Sequence, residues 1–319
     1  MSGGRFARER SLLVVLSLLA LGLAFLAPGF FAPGNLRNLV LDNLPLAVAA
    51  TGMTIVIVAG EIDVSIGAQF ALAGVLGGTL ARLGLPLGLV VPLVVGLGAA
   101  LGALQATLVA RGLPAIVVTL ASLAILRGTL RWITGGRWIA DLPADFQWFG
   151  LGQERGQLLS LAVVAAWIAA TAAALRWLHA GRALFAVGCD AEAARLAGLR
   201  VGRVKVGALA AMGASAALAG LLSAVRYPAI EIEAGTGLEL AAIACVVLGG
   251  ASIHGGRGTV LGTLLGVTLL GGLGTALVFL GVGAAWERAI QGAIILAALV
   301  PEALLARRRA RAARSVARG

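Results

Sequence analysis

The chain has 319 residues, of which 60% are hydrophobic and 12% charged, with a formal net charge of +11 and a mean hydropathy of +1.00. Soluble domains carry about 25% charged residues, so this composition excludes a water-soluble globular domain and places the chain in a membrane. The cysteines Cys189 and Cys245 and the histidines His179 and His254 are too scattered for a disulfide framework or a metal site. No GxxxxGK[ST] stretch occurs, so the chain cannot hydrolyse nucleotide in the P-loop manner, and energy for any work must come from a partner or a gradient.

Apolar runs follow one another at residues 11–27, 44–60, 68–83, 85–110, 114–133, 158–177, 204–225, 238–253, 259–282 and 289–305. They predict an all-α integral membrane protein of about ten transmembrane helices. The first run follows Arg5, Arg8 and Arg10 and has the look of a signal peptide. An uncleaved anchor is the simpler account, because ten crossings return both termini to the cytoplasm. On that threading seventeen of the 25 basic residues lie inside, as the positive-inside rule requires. The organisation is then a basic amino terminus at 1–10, one transmembrane domain at 11–305, and a basic tail at 306–319.

Between the second and third runs lies Ala59-Gly60-Glu61-Ile62-Asp63-Val64-Ser65-Ile66-Gly67, with two carboxylates where lipid would be expected. Ionisable groups at membrane depth cost roughly 2.5–3.5 kcal/mol each on insertion scales and usually face a cavity or a protein interior. The stretch admits two readings. One is a broken helix near residues 60–67 beside a translocation path, built from Glu61, Asp63 and Ser65, since freed backbone is tolerated only in protein or beside water. The other is a short turn in which Asp63 caps the next helix.

The connection 134–157 carries Trp138, Phe146, Trp148 and Phe149 among Asp141, Asp145 and Glu154, and fits an amphipathic turn at the interface or a contact for a docking partner. A second connection, Arg226 to Glu239, holds Tyr227, Glu231, Glu233 and Glu239 and is broken by Gly235 and Gly237. The loop 178–206 reads Gly181-Arg182-Ala183-Leu184-Phe185-Ala186-Val187-Gly188 and then a short helix over Asp190–Ala197 stopped by Gly198. Asp190 suits its N-cap, Glu192 its first turn and Arg195 its last. Such a helix serves either for docking or for lying on anionic lipid. The tail, Arg307-Arg308-Arg309-Ala310-Arg311, suits topology setting and lipid attraction rather than nucleic acid.

Glycine is abundant, with 46 residues, and recurs every fourth position at Gly74 and Gly78, Gly98 and Gly102, and Gly258, Gly262 and Gly266. This is the spacing of a close helix–helix seam, and equally that of ordinary membrane-helix glycines.

Gly60-Glu61-Ile62-Asp63-Val64-Ser65-Ile66-Gly67 resembles the G-x-I-D-[LV]-S-[VI]-G segment of ribose-type ABC importer permeases. Leu113-Pro114-Ala115-Ile116-Val117-Val118-Thr119-Leu120 with Arg127-Gly128 is similar to that family's P-[AP]-[IF]-[IV]-x-T-L…R-G stretch. Gly181-Arg182 through Gly188, Ala193-Ala194, Gly198 and Lys205 resemble its cytosolic coupling loop. Gly237-Leu238-Glu239-Leu240 through Val247-Leu248-Gly249-Gly250-Ala251-Ser252 with Gly255-Gly256 and Gly258 resembles its late glycine-rich signature. The matches span roughly residues 30–300 in the family's order. The family usually has glycine where Glu61 stands, so a role for Asp63 carries over more readily than one for Glu61.

The resemblance implies a non-enzymatic permease subunit in the bacterial inner membrane, with no cofactor of its own. Its partners would be a cytosolic ATP-binding subunit, a second permease (self or sibling), a periplasmic sugar-binding protein and membrane lipid, with no nucleic acid. It further implies an inverted five-plus-five helix repeat, of which Leu76-Gly77-Gly78 and Leu248-Gly249-Gly250 are a faint echo. Thr134-Gly135-Gly136-Arg137-Trp138 and Arg226-Tyr227 with Ala234-Gly235 look most like permeases for rhamnose and autoinducer-2. Expected pathway residues are Glu61, Asp63, Ser65, Tyr227 and Glu239. Expected ATPase-coupling residues are Arg182, Asp190, Glu192, Arg195 and Gly198. A gradient-driven secondary transporter using Glu61 or Asp63 is the alternative, whereas no nucleophile, base and orienter converge as a membrane enzyme would need.

Overall fold

Each of the first nine apolar runs forms a helix. In the computed structural model, which describes residues 3–282 and positions 286, 289, 290, 292 and 293, the helices are α1 (Gly3–Leu26), α2 (Pro33–Val58), α3 (Ile66–Arg82), α4 (Leu87–Ala110), α5 (Ala115–Thr134), α6 (Gln153–Trp177), α7 (His179–Cys189), α8 (Ala191–Leu196), α9 (Val201–Ala224), α10 (Leu238–Leu248) and α11 (Val260–Phe279). Most of the tenth run, 289–305, and the basic tail lie outside the described residues. Among the described residues there is no β-strand, only an isolated antiparallel bridge between Ile139 and Ile230.

Six helices, α2, α4, α5, α6, α9 and α11, are long and apolar enough to cross a membrane. The apolar part of α1, Leu12–Leu26, and α10 are shorter, and α3 has 17 residues. α2 starts at Pro33, eleven positions before its apolar run. Proline suits a first helical turn, and the polar residues that hid this part of the helix have partners: Asn43 donates to Leu39 O, and Asp42 pairs with Arg226 at 2.6 Å.

The core is organised around α2 and α9, whose inner halves are almost wholly buried. α9 packs against α2, α3 and α4, while α2 also receives α6, α10 and α11. The outer helices are apolar on both sides and differ by size instead. On α4 the buried face carries Val90, Val94, Gly98, Gly102 and Ala106, while Leu89, Leu93, Leu97 and Leu104 are exposed. That is one small face for protein and one large face for lipid.

The four-residue glycine spacings are seams within the chain. Gly98 and Gly102 bring α4 onto the Gly213 and Leu209 carbonyls of α9, and Gly262 and Gly266 bring α11 onto Gly249 and Cys245. Gly258 precedes α11 and faces Val58 and Ala251.

Two expectations change. The connection 134–157 is not simply an interfacial turn. Phe146 is fully buried in a cluster with Leu130, Ala224 and Ile230, because the Trp148 N–H donates to Val225 O and ties the loop to the end of α9. Trp138 remains 61% exposed, as an anchor or a contact residue would be. The stretch Gly181–Gly188, read as loop, lies in the eleven-residue helix α7, which buries Gly181, Leu184 and Val187 on one face. Its two glycines conceal the helix in sequence, yet Gly181 is where α7 turns tightly onto Ala174 and Leu175 of α6.

Candidate functional site

The polar break after α2 is packed inside protein. α2 and α3 are kept apart by α9, which packs on both, so residues 59–65 do not form a simple hairpin turn. Gly60 has φ +82°, a conformation that L side chains rarely adopt, and packs between Gly188 and the His254 carbonyl. Beyond it Asp63 and Ser65 are both 0% exposed. The Ser65 N–H and Oγ–H donate to Asp63 Oδ1 at 2.8 and 2.7 Å, and Ser65 Oγ accepts from the Gln69 and Gln105 amides at 2.8 and 2.9 Å. Thr119 Oγ1 accepts from the Val64 N–H at 3.2 Å. One hydroxyl thus joins α3, α4 and a buried carboxylate, and Thr119 brings in α5. Asp63 is not the cap of α3: Ser65 occupies that position, and Asp63 holds Ser65 in place from two residues earlier.

Glu61 turns away from this cluster and pairs with Lys205 of α9 at 2.5 Å, with side chains 12% and 22% exposed.

A second non-helical stretch, 225–237, meets the first. After α9 ends, Ile230 packs on Gly74 and Gly78 of α3, and Gly235 lies against Phe70 and Gly67, four to eleven residues nearer the amino end of the same helix. The stretch therefore runs down α3 toward its amino end. Gly67 leaves room for both the Gly235 carbonyl and Glu239 Oε2, a close approach that no larger residue allows. Glu239 Oε1 accepts from the Gly237 N–H at 3.2 Å, in the first turn of α10.

Arg127 of α5 fastens the second stretch to the amino end of α3. Its guanidinium donates to Ile232 O at 2.9 Å and Ala234 O at 3.0 Å, carbonyls of irregular backbone with no helical partner, and to Gly67 O in the first turn of α3 at 3.2 Å. Arg127 is thus seven residues short of the end of α5 and bonds protein backbone. Arg131, one turn on, pairs with Glu233 at 2.7 Å and holds that carboxylate below its ordinary range.

Between α3, α9 and the descending stretch is a cavity of about 380 Å³, lined by Phe70, Gly74, Trp138, Ser223, Tyr227, Glu231 and Ala234 among others. Among the described residues no lysine, arginine or histidine lines it.

At the far end of α2, α7 and α8 form one unit. Asp190 is the N-cap of α8, accepting from the Glu192 and Ala193 N–H groups at 2.9 Å each, and Arg195 pairs with Glu192 at 2.6 Å. Gly198, at φ +87°, follows the helix end. Arg182 donates to Trp177 O at 3.2 Å. Gly188 packs on the Val58 carbonyl, which also accepts from the Gly256 N–H at 2.9 Å, so the end of α7 touches the start of the break.

Of the expected pathway residues, Asp63, Ser65 and Glu239 come together around the amino end of α3. Tyr227 lines the cavity, and Glu61 faces Lys205. The expected coupling residues all fall on α7, α8 and the turn after it. Arg127, Gln69, Gln105 and Thr119 were not among the expected site residues. A polar side chain inside an apolar run was the available signal for each of them.

The sequence that builds this arrangement has counterparts among known proteins. Residues 35–299 match the family described as branched-chain amino acid transport system, permease component. The chain belongs to that permease family. The ribose import permease RbsC of Escherichia coli K12 is 34% identical over 305 residues, covering 92% of each chain. The autoinducer 2 import system permease LsrC of E. coli O9:H4 is 36% identical over 298 residues, covering 90% of this chain and 85% of that one. The probable ABC transporter permease YphD of E. coli K12 is 36% identical over 315 residues, covering 97% and 94%. No solved structure matches. The permease family bears out the resemblance drawn from the motifs, and with several apolar helices it makes this a multi-pass membrane protein.

Proposed function

We propose that this permease is the membrane subunit of an ATP-driven importer for a monosaccharide or sugar-like molecule of the ribose, xylose, rhamnose or autoinducer-2 class. The observation that carries the substrate class is the 380 Å³ cavity. Ser223, Tyr227, Glu231 and Trp138 line it, and among the described residues no cationic side chain lines it to receive an amino acid's carboxylate. A neutral polyol suits that lining, and the names of the ribose and autoinducer-2 relatives point the same way.

On this reading both termini are cytoplasmic and about ten helices cross the inner membrane in two inverted halves. Reciprocal packing supports the halves. α4 and α3 of the first lie on α9 of the second, while α11 and α10 of the second lie on α2 of the first. α2 and α9 are each followed by an irregular stretch and then a shorter helix. A cytosolic ATP-binding subunit docks on α7–α8, a second permease, either self or sibling, completes the membrane unit, and a periplasmic sugar-binding protein delivers the substrate. ATP stays on the partner, and this chain needs no cofactor. Movement of α8 passes through α7 and Gly188 to the end of α2, shifts the break at Gly60, and so alters the contact of Gly67 with Gly235 and Glu239.

The test is co-purification with the products of adjacent reading frames, followed by ATPase activity in lipid with sugar-loaded binding proteins. Stimulation by one loaded binding protein supports the proposal. A chain that purifies alone and transports on a proton gradient overturns it. The fully buried Asp63, without a cationic partner among the described residues, is what a gradient-driven carrier would titrate.

A further inference from the structure

A second, larger cavity of about 500 Å³ lies between the beginnings of α2 and α6, away from the 380 Å³ cavity. Arg37 of α2 and Glu154 of α6 line the end nearest the helix starts, its mouth, and Val40, Leu158 and Leu161, all exposed, line the part further along the helices. Both helices start at this end, so polarity falls in the same direction along each. From Glu154 to Leu161 the groove follows roughly 10 Å of helix at 1.5 Å per residue. Arg37 and Glu154 make no ion pair with each other, and their side chains have no hydrogen-bond partner among the described residues. Gln157, between the mouth and the apolar part, is only 5% exposed, and its Oε1 has no donor among the described residues.

We propose that this groove is a specific site for one phospholipid whose headgroup carries a phosphate and a primary ammonium, of the phosphatidylethanolamine type. The opposed charges at the mouth match that headgroup: the guanidinium of Arg37 takes the phosphate, as basic groups between membrane helices do, and the ammonium lies at Glu154. A primary ammonium donates N–H hydrogen bonds to the Glu154 carboxylate, which a quaternary ammonium cannot do. The apolar part takes the beginning of an acyl chain. The inference needs only that the chain spans a bilayer, and it holds or fails independently of what is transported.

The test is native mass spectrometry of the full-length chain, with any subunits that accompany it, released from bilayers of phosphatidylcholine doped with phosphatidylethanolamine. Retention of one phosphatidylethanolamine per chain is expected at least tenfold above phosphatidylcholine. Arg37→Gln and Glu154→Gln, both at exposed positions, should each lower that retention more than fivefold. Leu161→Trp should abolish it while the chain still elutes as a single folded species. Equal retention of the two lipids, or retention unchanged in both charge variants, overturns the proposal. So does a disulfide between two copies carrying Leu158→Cys, which would give the groove to a second permease.

Discussion

Glu61 Oε1 lies 2.5 Å from Lys205 Nζ, joining the break after α2 to the first turns of α9. The pair is more buried than a surface salt bridge, worth about 0–1 kcal/mol, and less than a fully buried one, whose disruption costs about 3–5 kcal/mol. Glu61→Gly, which restores the residue usual at this place in related motifs, should cost roughly 1–3 kcal/mol because Lys205 is left half-buried and alone. Adding Lys205→Met should recover most of the loss. Unfolding in detergent measures both variants, and strictly additive losses would mean that the pair does not couple these elements.

Asp63→Ala should prevent assembly. It removes the acceptor for the Ser65 N–H and hydroxyl, and Ser65 in turn holds the Gln69 and Gln105 amides. Each buried donor left without a partner costs about 1–3 kcal/mol. Asp63→Asn keeps an acceptor oxygen and should reach the membrane at near-normal levels. Normal uptake by that variant would reduce Asp63 to a structural role, whereas defective uptake at normal abundance would assign its charge to transport.

Arg127→Met should lower uptake at least tenfold with membrane abundance within twofold, because the 225–237 stretch loses its fastening to Gly67. Arg127→Lys should rescue little. A single ammonium cannot reproduce the planar fork that reaches three carbonyls. Wild-type uptake by the lysine variant would show that charge alone suffices.

The helical unit α7–α8 offers a test of coupling. Asp190→Ala should weaken α8 by about 1 kcal/mol through loss of its N-cap. It should uncouple substrate-stimulated ATPase activity while leaving the membrane bundle intact. Charge reversal at Arg182 or Glu192 should likewise reduce stimulation. Normal stimulation in all three variants, with the complex assembled, would move ATPase docking elsewhere.

Gly102→Leu should destabilise more than Gly88→Leu on the same helix. Gly102 touches the Leu209 carbonyl of α9, while the space beside Gly88 is open. Overpacking a close seam typically costs about 1–3 kcal/mol. Equal thermal stability of the two variants would show that α4 can move away from α9.

Helix α8 was legible in sequence because its signals are local: Asp190 caps it, Arg195 closes it and Gly198 stops it. The apolar runs were legible for a similar reason, since a backbone in lipid must satisfy its own hydrogen bonds and a helix does so within one segment. Helix α7 was not, because Gly181 and Gly188 read as breakers until the contacts they permit with Leu175 and Val58 are known. Phe146 and Trp148 looked alike, and only the docking of their loop on the end of α9 buries one of them fully.

Composition and periodicity by themselves determined a membrane-spanning helical chain, the polar break at 59–67 and a capped helix in the loop 178–206. Tertiary structure alone decided that the descent of residues 228–237 along α3 brings Gly235 and Glu239 to Gly67. It also decided that Arg127 joins the irregular stretch after α9 to the amino end of α3 and that Glu61 faces Lys205 rather than Asp63's cluster. The reason is that both faces of a membrane helix are apolar. Hydrophobic pattern then fails to say which side meets protein, and the pairing falls to small residues, buried hydrogen bonds and ion pairs between positions far apart in the chain.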